Sequence, residues 1–289
     1  MFGREYYTLV AGLREYSLDS ENKGFDAKVI LDEIREQLSK KDLRTLRLFY
    51  TWYDIENILH IKAGRSAFNT LGNYGREELE AEVQRPQTLP PFIGRILTAF
   101  ADPDNADSDE VDTAQKLERA LFTAYYGACA KSSNGFLRNW SAFDRNLRNV
   151  IAAFSARSKG WSPAEVVVGG GDVVDALTRS SAADFGLKGE LEYLDTVIAA
   201  MNDEGNLVEK ERRIDLVRWD KSEELTAFNY FDMDAILGYL VRVNIVHRWT
   251  VLSPAVGREM YERLVALLGA GDRIRQAEER ELLNEQKQE

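Results

Sequence analysis

Apolar residues recur every three or four positions along most of this chain, which is the spacing of one face of an α-helix and not of a half-buried strand. Between residues 114 and 128 the stripe is Ala114, Leu117, Leu121, Ala124, Tyr125 and Ala128; between 187 and 201 it is Leu187, Leu191, Leu194, Ile198 and Met201. A third stripe, Val256, Met260, Leu264 and Leu267, lies near the end. Ser39 followed by Asp42 marks a helix start resembling a capping box, and Leu46, Phe49, Tyr50 and Tyr53 continue it at helical spacing. Strand-like runs are few and short (TLVAG, EVVVG and TVLS), and each reads equally as the start of a buried helix. The expected class is therefore all-α. Loops are expected at 64–75, 85–94, 101–112, 157–163 and 202–206, and the nearly all-polar end of the chain, 272–289, reads as a solvated or frayed helical tail.

With 289 residues the chain can bury a sizeable core, and its single cysteine, Cys129, leaves no possibility of an internal disulfide, which fits a reducing compartment. A net charge of -11 with no dense Lys/Arg block argues against nucleic acid and against unaided binding to anionic lipid. No run approaches the roughly 20 apolar residues needed to cross a bilayer, and Glu5 and Arg14 bracket the short apolar run at the N-terminus. A soluble, cytoplasmic protein is expected.

Several segments imitate catalytic or ligand motifs. EVVVGGGDVVDAL has Gly169, Gly170 and Gly171 but no glycine three residues on and no flanking parallel strands, so it reads as a turn before a helix capped near Asp172. GACAKSS offers Lys131 and Ser132, but Ala130 stands where a phosphate loop needs glycine, and a helical stripe runs into it. Nucleotide binding is not expected. The acidic run from Asp102 to Asp112 has Asp107 and Thr113 where a calcium loop needs glycine and glutamate. His60 and His247 belong to no metal-ligand spacing, and Cys129 falls near an apolar stripe, where cysteine is inert packing. No catalytic, cofactor or metal residue emerges, although a carboxylate or Cys129 site on a helical scaffold remains an alternative.

One pattern repeats. Asp54-Ile-Glu-Asn57 to Arg65 aligns without gaps to Asn146-Leu-Arg-Asn149 to Arg157, each with two aliphatics after the Asn and an Arg eight residues beyond it. A weaker third copy surrounds Asn244 in VRVNIVHRW, where His247 takes the place of His60. The asparagines lie about one third of the chain apart. This spacing points to three degenerate helical lobes, at about 1–100, 101–200 and 201–271. Asn and Asp are poor interior helix residues. Buried here, each amide is expected to bond a backbone end or a neighbouring helix, direct partner contact being the other possibility.

At these residues the chain resembles the central-stalk linker of the V/A-type ATPases, the component lettered C in those enzymes and d in eukaryotic vacuolar ones. It resembles more closely a bacterial family of uncharacterised proteins encoded beside V/A-type ATPase genes. The matching pieces are YYTLVAGL, QLSKKDLRTLRLFYTWYDIENIL, GNYGREEL, FDRNLRNVIAAFSAR, SSAADFGL and RRIDLVRWDKSEELTAFNYFDMDAILGYLVRVNIVHRW. They contain Asp54, Asn57, Asn149, Arg157, Asp184, Phe185, Asp215, Trp219, Arg248 and Trp249; Arg65 adds the other repeated arginine. The resemblance implies a funnel-like body of three pseudo-equivalent lobes. It also implies a non-catalytic role between the central-stalk subunits and the proteolipid ring, on the inner face of the cell membrane. Arg65 and Arg157 are candidates for stalk contact, though a structural salt bridge is expected for each. A free-standing helical interaction scaffold is the alternative.

Overall fold

Short polar residues set the helix starts. The structure, a computed structural model, describes residues 5–18, 22–101, 110–203 and 205–251, with backbone only over 110–112. Asp26 accepts the backbone N–H groups of Lys28 and Val29 at the start of α2 (Ala27–Gln37), and Ser39 accepts that of Asp42 at the start of α3 (Lys40–Lys62). Asn134 caps α7 (Gly135–Ser158) and Asn206 caps α10 (Leu207–Thr226) in the same way. Asp232 accepts from Ala235 at 3.0 Å to open α11 (Met233–Val251). Each such cap satisfies N–H groups that have no partner within the first turn, and is worth about 1 kcal/mol.

The remaining helices are α1 (Tyr7–Gly12), α4 (Arg76–Gln84), α5 (Pro91–Ala101), α6 (Glu110–Ala130), α8 (Asp172–Arg179) and α9 (Leu194–Asn202), with a 3-10 turn at Pro163–Glu165. Among the described residues no strand occurs, so the fold is all-α. TLVAG lies in α1, and EVVVG runs from the 3-10 turn into an irregular loop. TVLS and the stripe from Val256 to Leu267 lie partly or wholly outside the described residues, as does the tail.

Two expected boundaries differ. Residues 91–94 are helical, because Pro91 sits at the first position of α5, where its missing N–H costs nothing. Conversely, the stripe beginning at Leu187 is not one helix: 187–193 is a string of turns, with Gly186 and Gly189 at φ +71° and +87°, and α9 starts only at Leu194. Left-handed glycines interrupt the helix while the apolar side chains still point inward. Leu187 and Leu194 are both buried.

α7 is the hub of the packing, touching α6, α8, α9, α10 and α11, while α3 packs on α4 and α6, and α2 on α11. One continuous apolar core links residues from all three thirds of the chain, among them Leu31, Tyr50, Ile55, Leu121, Leu147, Val197, Leu237 and Leu240. Burying one such side chain contributes about 2 kcal/mol. The thirds therefore share a core instead of each closing its own.

α11 packs closely on α10 at Gly238. A Cβ on Gly238 would lie 2.5 Å from Thr226 Cγ2 and 3.4 Å from the Ser222 carbonyl oxygen. Thr226 is itself fixed by a 2.8 Å bond from its hydroxyl to that carbonyl. Gly238→Val should therefore destabilise the protein by about 1 to 3 kcal/mol through overpacking, read as a lower urea midpoint with an unchanged slope.

Candidate functional site

The repeated asparagines clamp loops. On α3 the fully buried Asn57 donates from Nδ2 to the Asn69 carbonyl at 2.9 Å and accepts the Asn69 N–H at 2.7 Å. On α7 the buried Asn149 does the same to Val168, donating at 2.9 Å and accepting at 2.8 Å. In both cases one primary amide satisfies the N–H and the C=O of a single residue in the loop that folds back onto the helix. Asparagine suits this role because its amide carries a donor and an acceptor side by side.

One turn earlier, the two copies diverge. Asp54 is fully buried and accepts the Asn73 N–H and the Asn73 side-chain amide, both at 2.6 Å. The loop reaches Asp54 only because residue 72 is glycine: a Cβ there would lie 2.7 Å from Asp54 Oδ1. Burial pushes the Asp54 carboxyl up to about 6, and the bonds from Asn73 act against that rise. Asn146 instead accepts from Arg145 beside it. In the third copy, Asn244 accepts the Tyr50 hydroxyl at 3.1 Å and so ties α11 to α3; the segment following α11 lies outside the described residues.

Arg65 and Arg157 also part company, and among the described residues neither forms an ion pair. Arg157 donates to the carbonyls of Ala182 and Ser180 at 2.6 and 2.8 Å, with its guanidinium 3.6 Å from the centre of the Phe185 ring. Asp184 accepts the Gly186 N–H at 2.9 Å in the same turn. Phe185 is buried at φ +55°, a strained position for a bulky residue, held by Arg157 above and Phe154 edge-on at 5.0 Å. Arg65 is exposed and has no ion-pair partner among the described residues.

The third group of motif residues sits where all three thirds meet. Asp215 on α10 is buried and accepts from Arg218 at 2.9 Å, Arg248 at 2.7 Å and the Trp249 indole at 2.9 Å. Arg248 also pairs with Glu211. Arg218 reaches across to Asp144 of α7 at 3.4 Å, and Asp144 in turn accepts the Tyr126 hydroxyl of α6 at 2.8 Å. Burial alone would depress the Arg218 guanidinium, but Asp144 and Asp215 raise it, so it stays charged. Arg148 of α7 pairs with Glu118 of α6 at 2.6 Å and lies over the Phe122 ring at 3.8 Å. Trp219 stands apart, donating to Glu223 at 2.9 Å.

Glu56 of α3 belongs to this junction by its field, feeling Arg148, Arg248 and Glu118, yet it forms no hydrogen bond or ion pair with any described residue. Burial pushes its carboxyl up to about 7, and the two arginines only partly offset this.

Sequence reasoning did not single out Gly72, Asn73, Asp144, Arg148, Arg218 or Glu56. Gly72 and Asn73 stood in the quoted GNYG, and Arg218 follows Asp215 at the i,i+3 spacing of a helical ion pair. The partners across helices had no signal along the chain.

Cys129 is fully buried and its thiol is pushed up to about 12 by burial, so no thiolate forms near neutral pH. Lys131 and Ser132 follow the end of α6, with their N–H groups bonded back to Ala128 and Cys129. Among the described residues no group of three His, Cys, Asp or Glu is placed to hold a metal ion, and no helix is long and apolar enough to cross a membrane. A hollow of about 360 Å³ between α6 and residues 167–169 is lined by Lys116, Arg119, Thr123 and Gly169.

The loop clamps and the junction draw on residues from Asp54 to Trp249, and one family profile, described as a protein of unknown function (DUF2764), matches residues 4–272. The chain belongs to the DUF2764 family. The match takes in all three Asn helices, so the clamps and the charged junction of this DUF2764 member lie wholly inside the family region. A search of curated proteins found no match.

Replacing Asn57 or Asn149 by Leu leaves a buried loop N–H and C=O without partners, and each variant should lose about 1 to 3 kcal/mol; thermal melts unchanged in both would refute the clamp. Glu56 has an ordinary value of 4.5 but about 7 in the folded chain, so the folded state holds the extra proton between those values. Stability carried by its neutral form is fully present at low pH and is lost as pH rises through about 7. Glu56→Gln keeps the neutral form at every pH. Its melting temperature should exceed that of the parent at pH 8, with the difference shrinking steadily toward pH 5.

Proposed function

We propose that this chain is a non-catalytic central-stalk linker of a V/A-type ATPase or ATP synthase, joining the rotor stalk to the membrane proteolipid ring from the cytoplasmic side. One observation supports this above the rest. The pieces by which the chain resembles the bacterial family encoded beside V/A-type ATPase genes, one of which carries the Asp-Asn helix likened to the central-stalk linker, hold one another in space. GNYG closes on the Asp-Asn helix through Asn73 and Asp54. FDRNLRNVIAAFSAR meets SSAADFGL through Arg157 and Phe185. Within the last piece, RRIDLVRW meets VNIVHRW through Asp215, Arg248 and Trp249. That these segments form one body supports reading the likeness over the whole chain.

The physics fits a coupler. A torque-bearing link needs stiffness, and one shared core crossed by charged ties between α7, α10 and α11 supplies it. Ion-pair ties of this kind contribute little net stability but fix relative orientation. With a net charge of -11, attachment to the membrane would come through protein partners. A free-standing helical scaffold is the competing reading, and the same experiment separates the two.

The chain is co-expressed with the stalk and ring proteins from its own genome, and the assembly is purified through a tag on the stalk. One copy per complex should be retained, and omitting the chain should uncouple ATP hydrolysis from ion transport. An intact, coupled enzyme that assembles without this chain and never retains it would exclude the linker role.

A further inference from the structure

Trp219, which stands apart from the charged junction, borders a hollow of about 160 Å³ where the loop after α1 crosses α10 and α11. Glu15 and Tyr16 of the loop, Trp219 and Glu223 of α10, and Tyr239 and Arg242 of α11 line it. Tyr239 is buried, Tyr16, Trp219 and Arg242 are half-buried, and Glu15 and Glu223 are exposed, so the carboxylates stand at the mouth and the guanidinium deeper in. The walls are held in place. The Tyr239 hydroxyl donates to the Arg14 carbonyl at 2.9 Å and so ties the loop to α11. The Tyr16 ring packs edge-on against Phe25 at 4.8 Å, and the Trp219 indole donates to one oxygen of Glu223 at 2.9 Å.

Arg242 is under-used by the fold. A guanidinium carries five N–H donors, yet Arg242 makes one long bond, to the Ser222 hydroxyl at 3.5 Å, and lies 5.9 Å from the centre of the Trp219 ring. It forms no ion pair with any described residue. Burial pushes its guanidinium below the ordinary value, and Glu223, Glu15 and Tyr239 oppose this only through their fields. Arg14, the other cation nearby, is directed elsewhere: it donates to the Lys23 carbonyl at 3.2 Å and lies over the Tyr16 ring at 5.6 Å. A half-buried charge with most of its donors idle, beside open space, is the mark of a ligand contact.

We propose that this hollow binds a small zwitterionic amino acid, its carboxylate on the Arg242 fork and its ammonium between Glu15 and the second oxygen of Glu223. The three charges select for both groups together. A simple anion would meet two carboxylates at the mouth, and a simple cation would meet the guanidinium within. A molecule carrying both charges pairs with all three residues through charge-assisted bonds. The faces of Tyr16 and Trp219 suit an ammonium and a short aliphatic side chain. At about 160 Å³ the hollow falls well short of the roughly 300 Å³ at which pockets begin to take drug-sized ligands. An amino acid the size of alanine or serine fits; a nucleotide does not. The inference stands apart from the linker reading and needs none of its partners.

The test is calorimetric titration of the full chain with alanine and with serine, and in parallel with propionate and with ethylamine, each of which keeps one of the two charges. An amino acid should give saturable heat, and the single-charge analogues should bind about ten- to a hundredfold more weakly, as loss of bonds to a charged partner implies. Arg242→Met keeps an unbranched stem against Trp219 and should abolish amino-acid binding. Glu15→Gln, at an exposed position, should weaken it about tenfold with an unchanged melting temperature. The analogue titrations need no variant, so a poorly folding Arg242→Met leaves the test intact. Neither amino acid binding at millimolar concentration, propionate or ethylamine binding as tightly as alanine, or alanine binding that survives Arg242→Met would each overturn the proposal. None of these outcomes touches the linker reading, which rests on co-purification with the stalk.

Discussion

A helical chain that folds its connecting loops onto its own core must give every buried loop N–H and C=O a partner, and this requirement governs much of the molecule. Helices satisfy their own backbone; loops do not. Asn57 and Asn149 each supply both partners to one loop residue. Asp54 secures Asn73, and Arg157 secures the carbonyls of Ser180 and Ala182. Buried Glu82 accepts from Gln87, Thr88 and Leu89; burial alone would raise its carboxyl, and these bonds hold it below its ordinary value. Polar residues that look misplaced inside helices are thus the fixtures on which the loops hang.

With loops secured locally, the thirds of the chain are tied by charge. Asp215, Arg218 and Asp144 run from α10 to α7, and Arg248 and Trp249 bring in α11. A buried carboxylate with three donors tolerates little displacement, because moving it weakens several charge-assisted bonds at once. Glu56 is the exception in this junction, a half-buried carboxyl held near neutrality by burial and without a bonded partner among the described residues. Such a group makes the junction sensitive to pH without contributing a tie of its own.

The three helices that carry the recurring Asn put it to different uses. The first two clamp following loops, while Asn244 bonds Tyr50 across the core and so links the third copy to the first. Arg157 kept a structural task under strain at Phe185, whereas Arg65 became a surface residue. Degenerate repeats that share one core are free to diverge in this way, because packing constrains the helix axes more tightly than any single polar side chain.

The sequence by itself determined the all-α class, the start of α3 at Ser39 and of α8 near Asp172, and the burial of Asn57 and Asn149. All of these follow from information within a few residues: apolar spacing at the helical period, and short polar side chains that bond backbone two or three positions on. It also marked the Asn helices as related, because a gapless match survives in linear order. Only the tertiary structure decided what those amides bond, that Gly72 must lack a Cβ for the loop to reach Asp54, and that Asp215 gathers Arg218, Arg248 and Trp249. It likewise decided that 187–193 is turned and not helical, since left-handed glycines outweigh an apolar stripe that either conformation can bury. The contact between the Tyr7 and Phe231 rings, too, arises only where α1 meets the α10–α11 turn. Periodicity records which face of an element is buried. Which distant element covers that face depends on packing between segments far apart in the chain, and no local pattern encodes it.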